Sequence, residues 1–415
     1  MQKVLDYIAK HWDDTVRMVP RDEGRHLGLP EPFIVPCAKA VFCDLYYWDS
    51  FFASVGLVLH GRTELALSTC NDFFALVRRL GKVPNASILP CLNRSQPPLL
   101  GALTELVYSA THDDPWLKNA LPALDAEYDF WMTKRSTPCG LNRHGHDATP
   151  EELLNIYDSC GFYRLGMPKD APLEEQLFQG GHLLAEAETG WDFTPRFQRR
   201  CLDFAPVDLN AILYGNELRL AKWHEYFGNT AKAEAYREAA RKRAELMEKF
   251  CYDSEKSCYF DYDFVNDRRS EIVSCAAFYP LWFKCTTDPQ RLATVGKTLA
   301  DALLSPYGVR TCKLPQDPDY HYQWDALSIW PPLQYAAIKG LQNAGLDDLA
   351  MAVAKNFTQN VVKQFEQTGD LWEKYNSLTG EVQQQGTEYG TPAMMGWTAG
   401  IFTFCAMMVQ GKSLP

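Results

Sequence analysis

The sequence lacks several features that would assign it at once to a protein class. It has no apolar run long enough to cross a membrane, and charges interrupt its N-terminal stretch, so we expect neither a membrane span nor a secretory signal. Its 13 cysteines are an odd number, and no two are spaced as Cys-x-x-Cys. A disulfide framework and a structural zinc site are therefore not expected, and scattered free thiols favour a reducing cytoplasm.

Motifs for several common chemistries are also missing. The sequence contains no phosphate-binding loop, no Gly-x-Gly-x-x-Gly, no His-Glu-x-x-His and no Gly-x-Ser-x-Gly. Basic residues number 41 against 52 acidic residues, which gives a formal net charge of −11. An acidic chain is a poor candidate for binding nucleic acid or an anionic membrane through bulk charge.

Aromatic residues, in contrast, are abundant. The chain has 11 Trp, 20 Tyr and 22 Phe, together 13% of its residues. Two interpretations are open: a large core, or a pocket whose flat apolar walls stack on sugar rings. The remaining composition, with 46% hydrophobic and 22% charged residues, is that of an ordinary globular protein.

Apolar residues recur at helical spacing along most of the chain. Ala66, Cys70, Phe73 and Val77, for example, follow one another at steps of four, three and four residues. The same pattern predicts about twelve helices, at residues 2–13, 48–60, 63–80, 99–112, 116–134, 208–227, 230–250, 273–283, 287–304, 325–342, 346–366 and 392–409. Few strands are expected; residues 258–263 are predicted to form one arm of a short hairpin.

This series of helices predicts an all-α fold, an (α/α)6 barrel with an inner and an outer ring, although a helical solenoid would show a similar count. No linker or change of composition interrupts the chain, so we expect one domain over residues 1–415. Residues 138–189 have no clear periodicity and include His144, His146 and Gly180-Gly181. Because long irregular stretches are often functional loops, we predict an active-site lid there.

Acidic residues lie beside tryptophan or tyrosine in five short segments. They are Trp48-Asp49, Trp191-Asp192, Trp324-Asp325, Trp372-Glu373 and Glu388-Tyr389. Glycoside hydrolysis needs one protonated carboxyl to assist the leaving oxygen and one ionised carboxylate to activate water. A neighbouring aromatic ring raises the pKa of an acid and stacks on a sugar face. The five segments therefore favour a carbohydrate site.

Longer motifs around these segments resemble, in chain order, those of glycoside hydrolase family 37, the trehalases. They are residues 42–49 (FCDLYYWD), Pro84-Asn85, residues 94–98 (RSQPP), 188–193 (ETGWDF), 207–210 (VDLN), 323–334, 373–376 (EKYN), Glu388-Tyr389 and 396–400 (GWTAG). The Trp-Glu-x-Tyr-Asn block fits the related glycoside hydrolase family 63 equally well. The resemblance implies an inverting hydrolase on an (α/α)6 barrel, in agreement with the helix count.

By this resemblance, Asp192 is the general acid and Glu373 the general base, and no metal or organic cofactor is needed. An inverting mechanism requires the two carboxyl groups to lie about 6.5–9.5 Å apart, which leaves room for water. The expected partner is a small carbohydrate, α,α-trehalose first, and the oligomeric state stays open. The residues that the resemblance assigns to substrate binding are Phe42, Tyr46, Trp48, Asp49, Asn85, Arg94, Gln96, Gly190, Trp324, Asp325, Glu388 and Trp397.

The chain also departs from the family pattern. Val41 and Ile88 stand where the family has arginines, and the family's Arg-Pro-Arg-Pro-Glu segment is missing before Asp192, where the nearest upstream arginine is Arg164. Valine and isoleucine cannot replace the planar fork of donors that a guanidinium offers to sugar hydroxyls. We therefore expect a rebuilt leaving-group side, which keeps open another α-glucoside or α-mannoside, such as a glycosylglycerate.

Functions of other classes stay open as well. A catalytically idle sugar-binding relative would explain the lost arginines, although both catalytic carboxylates are retained. A sugar epimerase often uses histidine as its base, but His144, His146 and His321 form no repeated pair with a carboxylate. Asp261 and Asp263 could supply oxygens to a calcium ion, but solvated turn acids are the simpler interpretation of that pair.

Overall fold

The computed structural model describes residues 1–38, 42–313, 322–382, 390–393 and 396–412. The α-helices in this part of the chain are α1 Gln2–His11, α2 Tyr47–Leu59, α3 Thr63–Leu80, α4 Leu100–Thr111, α5 Asp114–Lys134, α6 Pro150–Ile156, α7 Leu173–Glu188, α8 Val207–Tyr226, α9 Thr230–Phe250, α10 Tyr279–Trp282, α11 Pro289–Leu303, α12 Pro331–Asn343, α13 Asp347–Thr368 and α14 Gly396–Val409.

Six of these helices close an inner ring. In order, α2 packs on α4, α4 on α8, α8 on α10, α10 on α12, α12 on α14, and α14 on α2 again. The helices that follow them in the chain lie outside: α3 contacts α2 and α4, α9 contacts α8, and α13 contacts α12 and α14. The N-terminal α1 joins the outer layer, where the Tyr7 ring lies 5.0 Å from that of Phe365. The predicted all-α (α/α)6 barrel is confirmed.

The two rings differ in composition as their positions require. Helix α14 of the inner ring is apolar along nearly its whole length and is buried on all sides. Outer helix α9 carries charges on its outer face and buries only a stripe that includes Ala233, Ala240 and Met247. No helix of the described chain is both long and apolar enough to span a membrane.

The strands are pairs of residues that fasten loops together rather than a layer of the fold. They are β1 Val16–Arg17, β2 Phe33–Ile34, β3 Phe204–Ala205, β4 Tyr252–Asp253, β5 Cys258–Tyr259, β6 Tyr262–Asp263, β7 Arg268–Arg269, β8 Leu304–Ser305, β9 Gly308–Val309, β10 Ser328–Ile329 and β11 Tyr375–Asn376. All pairs are antiparallel: β1–β2, β4–β5, β8–β9, β10–β11 and the three-stranded β3–β6–β7. Residues 258–263 thus supply arms to two ladders instead of one.

The prediction of an irregular lid over residues 138–189 is wrong for much of that segment. It contains the short α6, a π-helical turn at Tyr157–Phe162, and the 16-residue α7. Helix α7 shows no amphipathic period because every residue from Gly180 to Glu188 is buried. Gly180 lies inside this helix and does not interrupt it. A Cβ at this position would lie 2.3 Å from the Leu153 carbonyl oxygen, so no larger residue fits. The glycine lets α6 pack against α7.

Two predicted helix bounds also need correction. The helix expected from residue 325 begins only at Pro331, because Ser328–Ile329 form strand β10 and two prolines occupy the first helical turn. The helix expected at 273–283 is a 3-10 turn at Cys275–Phe278 followed by the four-residue α10.

Candidate active site

A cavity of about 430 Å³ opens at the end of the barrel where the N-termini of the inner helices meet. Tyr46, Trp48 and Asp49 reach it from the start of α2, and Trp397 from the start of α14. Loops before α4 and α12, and after α7 and α13, supply the rest. The lining residues are Phe42, Tyr46, Trp48, Asp49, Asn85, Cys91, Arg94, Gln96, Gly190, Asp192, Gln323, Trp324, Trp330, Glu373 and Trp397.

The loop after α7 fixes the position of Asp192. Gly190 has a φ of 75°, and a Cβ there would lie 2.6 Å from Cε2 of Trp48, so only glycine fits. The Thr189 hydroxyl donates to the Glu186 carbonyl at 2.6 Å and accepts from the Trp191 N–H at 2.9 Å. Trp191 stacks on Trp324, with ring centroids 5.5 Å apart. Asp192 is therefore held in place by a loop whose backbone and neighbouring rings are tightly fixed.

Glu188 ties this loop to two others. Its carboxylate accepts hydrogen bonds from the Ser95 N–H at 2.8 Å, the Gly145 N–H at 2.7 Å and the Arg135 guanidinium at 2.8 Å. Burial by itself would raise the pKa of Glu188, but the charge and hydrogen bonds of Arg135, with His144 3.5 Å away, hold it well below its usual range. Glu188 is an ionised anchor for the wall that carries Arg94 and Gln96.

Arg196 also fastens the loop after α7 to its surroundings, from the buried side. Its fully buried guanidinium lies 4.4 Å from the Trp191 ring centre and donates to both Asp208 and Asp261. Asp208 thus contributes to this buried ion pair from the first turn of α8. Asp261 also accepts from the Val207 N–H at 3.0 Å. These acids serve the fold, and no group of three or more metal-ligating side chains occurs in the described residues.

The second catalytic candidate, Glu373, lies between α13 and α14 and is 1% exposed. Its N–H donates to the Pro392 carbonyl at 3.2 Å, and its carbonyl accepts from the Trp397 indole at 3.1 Å. The Lys374 ammonium donates to its Oε2 at 2.7 Å. Backbone and side chain of Glu373 are therefore both fixed.

Asp49 lies close enough to both candidates to interact electrostatically with each. Burial first, and then the charges of Glu373 and Asp192, raise the pKa of Asp49 to about 8. Asp49 is therefore protonated at neutral pH and can donate a hydrogen bond into the cavity.

Tryptophans form the flat side of the cavity. Trp324 and Trp330 stack with centroids 3.8 Å apart and an angle of 1°, and Trp397 meets Trp330 edge-on at 5.7 Å. Trp48 lies 5.6 Å from Trp324. Such walls suit the apolar face of a sugar ring. These rings are buried in the core and also line the cavity.

Most of the predicted site residues meet in this cavity. Glu388 and Val41 lie outside the described residues. Among the predicted site residues that the structure describes, Asp325 is absent from the lining. Asp325 instead accepts from the backbone N–H groups of Tyr322 at 3.0 Å and Leu327 at 2.9 Å, which caps a turn. Sequence reasoning missed Gln323 and Trp330, although both lie in a segment already singled out, and Cys91, for which the sequence offers no signal.

We expect Glu188→Gln to lower the free energy of unfolding at neutral pH by about 3–5 kcal/mol, because it leaves Arg135 buried without its main counter-charge. A depressed native pKa stabilises the fold above the ordinary glutamate range, and this contribution is lost as the pH falls. The variant should therefore approach the wild type on acidification. Urea unfolding between about pH 2 and 8 measures the difference, with the convergence expected below the ordinary pKa of glutamate.

The matched control is Glu186→Gln, two residues earlier on the same helix. Burial first raises the pKa of Glu186 to about 8, so this side chain is neutral at pH 7 and glutamine copies its charge state. We expect a loss of about 1 kcal/mol or less at neutral pH. Equal losses in the two variants would contradict the assignment of opposite charge states.

Comparisons with known proteins show the family of this chain. A family model described as "Trehalase" matches residues 1–408. The periplasmic trehalase of Salmonella paratyphi B is 31% identical over 426 residues, which cover 96% of this chain and 72% of that protein. The structure of neutral trehalase Nth1 from Saccharomyces cerevisiae has a TM-score of 0.77 at 24% identity and covers 97% of this chain and 79% of that one.

A second solved structure is more distant. The GH63 mannosylglycerate hydrolase from Thermus thermophilus, in complex with Tris, superposes with a TM-score of 0.66 at 16% identity, covering 97% of this chain and 100% of that one. At such identities the two structures show that the barrel is shared.

Proposed function

Since the chain belongs to the trehalase family and is a glycoside hydrolase, we propose that it hydrolyses α,α-trehalose with inversion, with Asp192 as acid and Glu373 as base. The observation that supports this most directly is that both carboxyls line the same cavity as the tryptophan wall. In the proposed reaction one glucose unit stacks on that wall, and the bond to the second unit lies beside Asp192.

The chemistry follows from the positions of the charges. Asp192 donates a proton to the glycosidic oxygen as that bond breaks. Glu373 takes a proton from water, which attacks the anomeric carbon from the opposite face and inverts its configuration. Asp49, neutral below about pH 8, is proposed to donate to a hydroxyl of the bound glucose without adding a second negative charge beside the ionised Glu373.

One observation favours a different leaving group as the second candidate. Ile88, which stands where the family has an arginine, is 5% exposed, forms a bridge with His26 and does not line the cavity. Compared with family members that have the arginine, the leaving sugar therefore has one hydrogen-bond donor fewer at the position of Ile88. Another small α-glycoside, such as a glycosylglycerate, would use the same two carboxyls with a different set of contacts.

The test is hydrolysis of trehalose beside a panel of other α-glucosides and α-mannosides, with the released anomer followed by proton NMR. We expect trehalose to give equal amounts of β- and α-glucose at first, because inversion acts on one unit only. Turnover of another α-glycoside without trehalose would select the second candidate. Release of the α-anomer alone would contradict inversion, and release of an epimerised sugar would contradict hydrolysis.

We propose the cytoplasm as the compartment. The support is the cysteine content: all 13 are free thiols in the structure, and ten of them are buried as small core residues. The curated relatives are named periplasmic trehalases, so the opposite outcome has a concrete precedent. Fractionation of the native host with an antibody to this chain distinguishes the two compartments.

A further inference from the structure

The side chain next to the proposed base is itself fully buried. Lys374 is 0% exposed, and its ammonium donates to Glu373 Oε2 at 2.7 Å. Its other side faces the ring of Trp330, whose centre lies 4.6 Å from Nζ. Because Trp330 stacks in turn on Trp324, the ammonium is clamped between the carboxylate and the tryptophan wall.

The charges around Glu373 show what this contact does. Asp49 and Asp192 line the same cavity as Glu373, Asp49 interacts electrostatically with both, and Arg164 interacts electrostatically with Lys374. Asp49 and Glu186 are comparably buried carboxyls, accept no hydrogen bond from a cationic side chain in the described structure, and both have pKa values raised to about 8. Glu373 differs from them in having an ammonium group in direct contact.

We propose that Lys374 is a positioning residue for water activation: its ammonium holds Oε2 of Glu373 and places a positive charge against this buried carboxylate. This inference rests on the proposed function, which makes Glu373 the base. Burial lowers the pKa of Lys374 and the charge of Glu373 opposes that shift, so each partner supports the charged form of the other. The contact also means that the protein, rather than water, fixes the orientation of the Glu373 carboxylate toward the substrate.

The experiment measures kcat and KM against pH for the wild type, Lys374→Met and Lys374→Arg. Without the ammonium, the Glu373 carboxylate binds a proton more readily, so the acid limb of the kcat/KM profile of Lys374→Met should move to higher pH by about one unit or more. At neutral pH its kcat should fall about 10- to 100-fold with little change in KM. Lys374→Arg retains the charge and should keep the limb at its wild-type position.

Lys339→Met is the matched control, because it removes another largely buried lysine, on α12 and outside the cavity lining. Its pH profile should equal that of the wild type. A loss of activity in Lys374→Met with an unmoved acid limb would assign the lysine a purely structural role and overturn the inference. If Lys374→Met does not fold, Lys374→Arg decides: a limb displaced from that of the wild type overturns the inference.

Glu373→Gln separates this inference from the function on which it rests. If that variant stays active, Glu373 is not the base and the proposed mechanism itself fails. If that variant is inactive while the limb of Lys374→Met stays in place, the mechanism stands and only the inference about Lys374 is wrong.

Discussion

Asp192→Asn is expected to hydrolyse trehalose about 10²- to 10⁴-fold more slowly than the wild type, because asparagine cannot supply the proton that the leaving sugar needs. The side chain keeps nearly the same size, so the loop held by Gly190 and the Trp191–Trp324 stack should stay in place. Substrate binding, measured by calorimetry, should therefore change far less than turnover.

The identity of the leaving group tests this interpretation. In a substrate such as α-glucosyl fluoride, the leaving group departs without protonation. The rate of hydrolysis of this substrate should therefore fall much less in the Asp192→Asn variant. Asp170→Asn is the control, since Asp170 is an exposed carboxylate of the segment before α7. Trehalose turnover within tenfold of the wild type would move the acid role elsewhere, and a parent without any turnover would favour the idle sugar-binding alternative.

The helices that the sequence predicts best are amphipathic, with one solvent-exposed and one buried face. Helix α3 is predicted at residues 63–80 and is found at Thr63–Leu80, because its apolar stripe and its final Gly81 are local signals. Helix α7 carries no such stripe, since every residue of its second half is buried. Its buried Glu186, Glu188 and His182 resemble surface residues in sequence, and only distant partners make them core residues.

The candidate site shows the same division. The cavity-lining motifs are recognisable as residue types at fixed spacings, so Asp192, Glu373 and the tryptophans could be predicted together. The charge states of the buried acids could not be predicted from the sequence. Asp49 and Glu188 are both acids in tryptophan-containing motifs, but one is protonated and the other ionised at neutral pH. The difference depends on Arg135, which is 53 residues from Glu188 in the chain and reaches it only in the folded barrel.

Glu373→Ala is expected to lose trehalose hydrolysis about 10²- to 10⁴-fold, since no carboxylate then takes the proton from the attacking water. Because Asp192 still protonates the leaving group, a small anion that needs no deprotonation can replace the water. Sodium azide should therefore restore turnover of trehalose and give β-glucosyl azide and glucose. Proton NMR identifies the azide product by its anomeric coupling.

The azide product assigns the two carboxyls separately. In Asp192→Asn the base is intact and the missing component is a proton, so azide should not rescue trehalose turnover there. Glu366→Ala, which removes an exposed carboxylate on outer helix α13, should show wild-type rates with and without azide. An α-glucosyl azide from Glu373→Ala would mean attack on the same face as the departing group and would contradict inversion. Rescue of both Glu373→Ala and Asp192→Asn would contradict the division of roles, because it would show that one anion replaces either group.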